Sequence, residues 1–570
     1  MTSTIRYHLS APKRHTRFLE LSAEFPVDGK NQLLLQLPAW RPGRYELGNF
    51  ARNIQKWQAF DQDGNPLHHK KVGKELWMVE CEGMDTVKVE YNFYADILNA
   101  GSTWIDAEQI YVNPVNCFLF DPTHPSSNFD IELDIPDHYQ IATGMEISGK
   151  TLKAKGVQQL LDCPFFAAEG LWKRSYKVGN CEFHIWVKGK HRLDENRVLN
   201  EFKSFTEAQM KSFGDIPCSE YHFLFQFPDH PSRHGVEHEN STVITLGPAE
   251  RLLTREGYDE FLGISCHELY HTWNVKNIRP VEMMPYDFTK ENFSRLGYVA
   301  EGVTTYYGDL YLLRSGVWTV DNYLKELAQQ IKRHLHNAGR FNLSVADSSY
   351  DTWIDGYERG VPHRKVSIYT EGCLTAFMTD VAIMQNTQNN KSLDDAMLTM
   401  YERFGKTGVG YSEKDYREVL EATAGGKLDS IFNNHIEGTE DYLPSLQSAL
   451  EYLGIDLHLE APKNLMGYSG MLFTLSAKGV QVHEVWPGSP ADKAGLTRGD
   501  LLVSINNTPV DEHLERTILL AKGKLEIGFI RDRILLSTSL ELEQAAYYPE
   551  VKLSIREHNE AFKAWSWSRI

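Results

Sequence analysis

ISCHELYHTWN, residues 264–274, carries two histidines four apart, a glutamate directly after the first, and no other charge. On a helix, residues i and i+4 lie one above the other, so His267 and His271 present their rings to one point. That placement suits Zn2+, which takes imidazole nitrogens at about 2.0–2.1 Å. Glu268 is rotated by about 100° from the ligand row. It can still reach a water on the metal, where a general base is needed. An ordinary buried helix turn is the competing account, because a chance HExxH among 22 histidines has a probability on the order of 5%. The flanks weigh against it. Ile264, Leu269, Tyr270 and Trp273 are uncharged and no proline interrupts. Two histidines and a glutamate are also costly to bury with nothing to pair them.

Two histidines leave a catalytic zinc one protein ligand short. Thirty residues on, YVAEGVTTYYGDL sets Glu301 among apolar and small residues, and the glycine after it lets another backbone come close. Taken alone, Glu301 reads equally well as an acid serving a helix N-terminus. Beside HExxH it completes a set of His267, His271 and Glu301 that leaves a fourth position for water.

Around this centre the hydrophobic period changes twice. Residues 1–170 hold short runs rich in branched and aromatic side chains, such as QLLLQLPAW, DTVKVEYNFYA and FDIELDIP, broken by DQDGNP and PVDGKN. This predicts a β-domain, a sandwich or saddle of antiparallel sheets. Residues 171–453 are mainly helical: DENRVLNEFKSFTEAQMKSFG places Val198, Phe202, Phe205 and Met210 near one face, and DNYLKELAQQIKRHLHNAG does the same with Leu324, Leu327, Ile331 and Leu335. Residues 454–545 return to short strands, and 546–570 form a tail of unassigned packing. The expected class is multidomain α+β.

Composition narrows the function. A chain of 570 residues exceeds one core and splits into roughly three or four domains. A net charge of −18 argues against nucleic-acid binding, which needs a basic stripe. The N-terminus lacks an apolar stretch of signal-peptide length, and no run of apolar residues is long enough for a spanning helix. Seven scattered cysteines without a CxxC pair read as reduced thiols, so a cytoplasmic enzyme is expected.

HELYHTWNVKNIRP followed by AEGVTTYYGDL resembles the M61 glycyl aminopeptidases, zinc peptidases of the gluzincin group. LPAWRPGRYELGNFARNIQ (38–56) is similar to that family's N-terminal β-domain signature, HGVEHENS (234–241) to its Gly-Gly-Leu-Glu-His segment, and SIYTEG (367–372) to a Tyr-x-Lys-Gly segment. SPADKAGLTRGDLLVSINNTPV resembles bacterial PDZ domains. The resemblance implies a thermolysin-like catalytic domain and a C-terminal PDZ-like β domain. It also implies a preference for small N-terminal residues, glycine or alanine. Glu237 would bind the free α-amine of a peptide, and Tyr369 would donate its hydroxyl to the oxyanion. Two departures bear on substrate preference: His234 replaces a glycine, and Glu371 replaces the lysine after the tyrosine. Asp309, about two turns after Glu301, is the one acid that can be named as an orienting partner for a ligand histidine, and a solvated acid is the favoured reading of it.

Three functions compete: a zinc aminopeptidase, a zinc endopeptidase or amidase with no need of a free amine, and a non-catalytic PDZ peptide-binding protein. The complete set of His267, Glu268, His271 and Glu301 speaks against the third, since a scaffold has no use for the base. GYSGMLF (467–473) could offer backbone N–H groups to a peptide C-terminus, or that groove could be closed as a spacer.

Overall fold

The computed structural model describes residues 4–357, 360–511, 514 and 523–567. The N-terminal domain is built on a seven-stranded sheet backed by a four-stranded and a three-stranded one. Alternation sets its faces: in Thr86–Tyr94, Val87, Val89, Tyr91 and Phe93 point inward while their neighbours face out. The sheet is not wholly antiparallel as expected. Thr4–Ser10 runs parallel to Asn128–Asp134. More than a hundred residues separate these strands, so no hairpin dictates their direction.

The central region is helical as expected, but it opens on a five-stranded sheet, Trp172–Val178, Cys181–Lys188, Glu220–Gln226, Ser241–Gly247 and Ser232–Glu237 in spatial order. Its middle strands pair in parallel and are buried on both faces. Runs such as YHFLFQF therefore lack the alternation that would reveal a strand. One face packs on the helical core through Phe183, Phe223 and Phe225, and the other meets the N-terminal domain through Trp186, Leu224, Phe166 and Tyr111. Glu195–Phe213 is capped by Asp194, which accepts from Arg197 N, and ends at left-handed Gly214. Val198, Phe202 and Phe205 are buried and Met210 is partly so. Val320–Leu335 likewise buries Leu324, Leu327, Ile331 and Leu335.

Helix α1 (Arg255–Tyr270), helix α2 (Thr304–Arg314) and helix α3 (Ile368–Asn386) form the middle of this core. A π-helical segment, Tyr298–Val303, leads directly into α2. Gly302 lies against Gly372 of α3, and a β-carbon on Gly302 would overlap the Gly372 backbone. The glycine after Glu301 thus admits a neighbouring chain, as its position in the sequence suggested.

The C-terminal β domain has its own small core of Leu465, Met471, Val480, Val482, Leu502, Ile527, Phe529 and others. Its sheet orders Met471–Ser476, Gly479–Val485, Leu501–Ile505, Lys524–Arg531 and Ile534–Glu541. Ile455–Glu460 lies outside that sheet and pairs with Glu550–Ile555 of the tail. The tail then forms the helix Glu560–Ser566, whose Phe562 and Trp565 enter the core of the helical domain. The PDZ-like domain is therefore an excursion between two paired strands. Among the described residues no helix is long and apolar enough to cross a membrane.

Candidate active site

Helix α1 starts at Thr254, whose hydroxyl accepts from Gly257 N, and ends at Tyr270. His271 is the residue beyond it and keeps right-handed helical angles, so the i,i+4 relation survives the helix end. The two imidazole Nε2 atoms stand 3.2 Å apart. Glu301 Oε2 lies 3.5 Å from His271 Nε2 and 3.8 Å from His267 Nε2. A tetrahedral ion with bonds of about 2.0–2.1 Å would hold its ligands about 3.3 Å apart; the 3.2 and 3.5 Å sides of this N,N,O triangle come close to that, and the 3.8 Å side is longer by about half an ångström. The three expected ligands are among the groups that could hold a metal.

Asn274, the last residue of the opening stretch, ties the two ligand segments together. Its Nδ2 donates to Val299 O at 2.8 Å, to Thr304 Oγ1 at 3.0 Å and to Ala300 O at 3.3 Å, securing the π-helical turn that carries Glu301. Its carbonyl lies 3.0 Å from His271 Nδ1, leaving Nε2 to face the cluster. Asp309 lines the same cavity, yet no hydrogen bond joins it to either histidine among the described residues.

The two remaining acids flank this cluster. A β-carbon at Gly235 would run into the Glu268 carboxylate, so glycine in the strand Ser232–Glu237 makes room for it. Glu237, at the end of that strand, is 3% exposed and lies against Gly43 of the N-terminal domain. Glu237 Oε1 and Glu268 Oε2 are buried without hydrogen-bond partners. Unpaired buried carboxylate oxygens are costly and commonly await a ligand.

The electrostatics favour added positive charge. Burial pushes the Glu268 carboxyl up to about 8; His271 opposes this, while Glu237 and Glu301 add to it. Burial, then His271 and Arg233, keeps His267 well below its ordinary value, hence neutral. Burial would also lower His271, but the hydrogen bond and charge of Glu301 outweigh it and raise it to about 9. A proton there answers the same field that would hold a cation.

Tyr369, second residue of α3, stacks its ring 6.5 Å from that of His267. Burial, with Glu301 nearby, raises its hydroxyl well above 10, so it remains a donor. Tyr357 OH stands 3.5 Å away. These groups line a cavity of about 1620 Å3 shared with Arg44, Arg233 and Arg333.

The two sequence departures are each absorbed locally. His234 Nε2 lies 3.2 Å from Arg41 Nη2, and burial followed by the charges of Arg41, Arg44 and Arg233 brings it down to about 3. It adds bulk and no charge. Glu371 pairs with buried His334 at 2.7 Å. Gly43, Gly235, Asn274 and Tyr357 escaped the sequence reading; only Asn274 carried a signal, a lone amide within the metal motif.

Family models match residues 6–169 as the Peptidase M61 N-terminal domain, 260–375 as M61 glycyl aminopeptidase and 481–523 as a PDZ domain. The family and the three-part fold expected from the motifs are thereby borne out. An aminopeptidase N family protein from Idiomarina loihiensis superposes with a TM-score of 0.91 at 25% identity, covering 98% of this chain and 99% of that one. The Serine protease Do-like HtrA of Bacillus subtilis is 32% identical over 204 residues, 34% of this chain and 43% of the relative. The magnetosome formation protease MamE of Paramagnetospirillum magneticum is 36% identical over 76 residues, 13% of this chain and 10% of the relative. The chain thus spans less than half the length of these curated relatives.

Proposed function

The chain belongs to the M61 peptidases, and on that premise we propose that it is a zinc-dependent aminopeptidase removing small N-terminal residues, glycine or alanine, from peptides. The carrying observation is the convergence of His267, His271 and Glu301 on one point, with two unpartnered carboxylates, Glu268 and Glu237, beside it in a single cavity. His267, His271 and Glu301 would hold the zinc. When bound, such an ion supplies Lewis acidity and brings the pKa of a water to about 7.

The chain's own residues do the rest. Glu268 accepts the water proton as the carbonyl of the first peptide bond is attacked, then delivers it to the leaving amine. Glu268 Oε2 is buried with no hydrogen-bond partner of its own, which leaves it free to take and return that proton. Tyr369 donates its hydroxyl to the developing oxyanion, an interaction worth about 2.7–4 kcal/mol in a dry site. Glu237 takes the ammonium of the substrate through charge-assisted hydrogen bonds. Glu237 is 3% exposed and lies against Gly43, and its Oε1 has no partner of its own, so an ammonium group would satisfy it.

The PDZ-like domain would receive a peptide C-terminus. Seven scattered cysteines without a CxxC pair support a reducing, cytoplasmic setting.

Glycyl- and alanyl-arylamides offered beside their N-acetylated forms test the reading. Hydrolysis of the free amines alone, lost on chelation and restored by Zn2+, is the expected result. Equal cleavage of the blocked substrates would replace the aminopeptidase with an endopeptidase or amidase. Indifference to chelation would remove the metal.

A further inference from the structure

The RPGRYE turn, residues 41–46, belongs to the N-terminal domain, and none of its side chains has a part in the chemistry above. It nevertheless reaches the catalytic cavity. Gly43, at φ +74°, lies under Glu237, and Arg41 meets His234. Tyr45 goes further. It is 3% exposed, and its hydroxyl donates to Glu301 Oε1 at 3.0 Å.

The two oxygens of Glu301 therefore have different partners. Oε1 accepts from Tyr45, while Oε2 is the atom facing His271 and His267. The last torsion of a glutamate is broad, so a carboxylate with nothing on Oε1 would not keep Oε2 aimed at one point. Tyr45 is itself held firmly. Its ring lies edge-on to Trp353 at 6.1 Å, and Trp353 packs edge-on against Trp40 at 5.0 Å. Trp40 in turn donates to Asp287 O at 2.7 Å.

We infer that Tyr45 is a positioning residue which fixes the ligand oxygen of Glu301 from the N-terminal domain, so that the metal centre is completed across the domain boundary. The inference rests on the ligand set proposed above. Hydrogen bonds from outside the ligand shell typically contribute 10–100-fold in metal affinity.

The test compares Zn2+ affinity of the full chain, by competition with a chromogenic chelator, in the parent, Tyr45→Phe, Glu301→Ala and the double variant. Phenylalanine keeps the ring and its contact with Trp353, and removes only the hydroxyl. Tyr45→Phe is expected to bind Zn2+ at least about tenfold more weakly. In the Glu301→Ala background the same change should cost nothing further, because the hydroxyl acts through the carboxylate alone. Parent-like affinity in Tyr45→Phe, or an equal loss with alanine at 301, overturns the inference. If Glu301→Ala alone binds as the parent does, the ligand set is wrong and the inference falls with it. That outcome appears in a different protein from the one that tests Tyr45.

Discussion

Glu268 and Asp162 are both buried acids, and their surroundings send them in opposite directions. Burial raises Glu268 to about 8, and the carboxylates of Glu237 and Glu301 add to it. Asp162 would also be raised by burial, but Lys276 at 2.7 Å and His238 at 3.1 Å overcome this and bring it down to about 2. In the proposed function the first is the acid that exchanges a proton; the second joins the N-terminal domain to the loop after the HExxH motif. Glu268→Gln keeps the shape and removes the proton acceptor, so kcat on an alanyl-arylamide should fall about 10²–10⁴-fold with bound zinc, measured by metal analysis, unchanged. Asp162→Asn should destabilise the chain by about 3–5 kcal/mol at pH 7, since it strands buried Lys276. Because the folded pKa of Asp162 is depressed, its stabilisation is full above about pH 4 and disappears as pH falls toward 2. Urea titrations of parent and variant should therefore converge by about 2 kcal/mol across that window.

At the scale of elements, the centre depends on how closely the π-helical turn and α3 approach. Gly302 and Gly372 pack backbone to backbone, and rigid chain rather than a yielding side chain meets any added carbon. Gly302→Ala should cost about 1–3 kcal/mol in denaturant unfolding through overpacking. It should also weaken Zn2+ binding, because Glu301 is the adjacent residue; unaltered affinity would show that the turn can shift without moving its carboxylate. About two turns further along, α3 is held by Tyr306, whose hydroxyl donates to Asp380 Oδ2.

Across the whole molecule, the C-terminal tail is part of the catalytic domain. Trp565 Nε1 donates to Tyr306 OH at 2.8 Å, and Arg314 Nε donates to the Trp565 carbonyl at 2.9 Å while Nη1 grips Asp394. Trp565 and Trp567 thus close over the helix that follows Glu301: Trp567 lies 4.5 Å from the Arg314 guanidinium, and Trp565 is 1% exposed. Trp565→Ala should cost about 3–5 kcal/mol. The loss should register as a lower melting temperature of the catalytic domain and earlier proteolysis there, with the PDZ-like sheet melting as before. The PDZ-like domain also touches the segment that carries Tyr357, through His363 Nε2 at 2.8 Å from the Val485 carbonyl.

What could be read without coordinates was local. His267, Glu268 and His271 lie within one turn of helix, so periodicity alone brings them together. The helices Glu195–Phe213 and Val320–Leu335 announced themselves through apolar spacing. The five-stranded sheet did not, because strands buried on both faces lose their alternation. Nor did the tail, whose aromatic residues find their partners in several distant helices. Tyr45 is the sharpest case. It follows an unremarkable turn, and nothing in its spacing relates it to a carboxylate 256 residues away. Short-range geometry is written in neighbouring side chains, whereas the meeting of Tyr45, Gly43 and Glu301 depends on two domains burying their apolar faces against each other, and that only the folded chain decides.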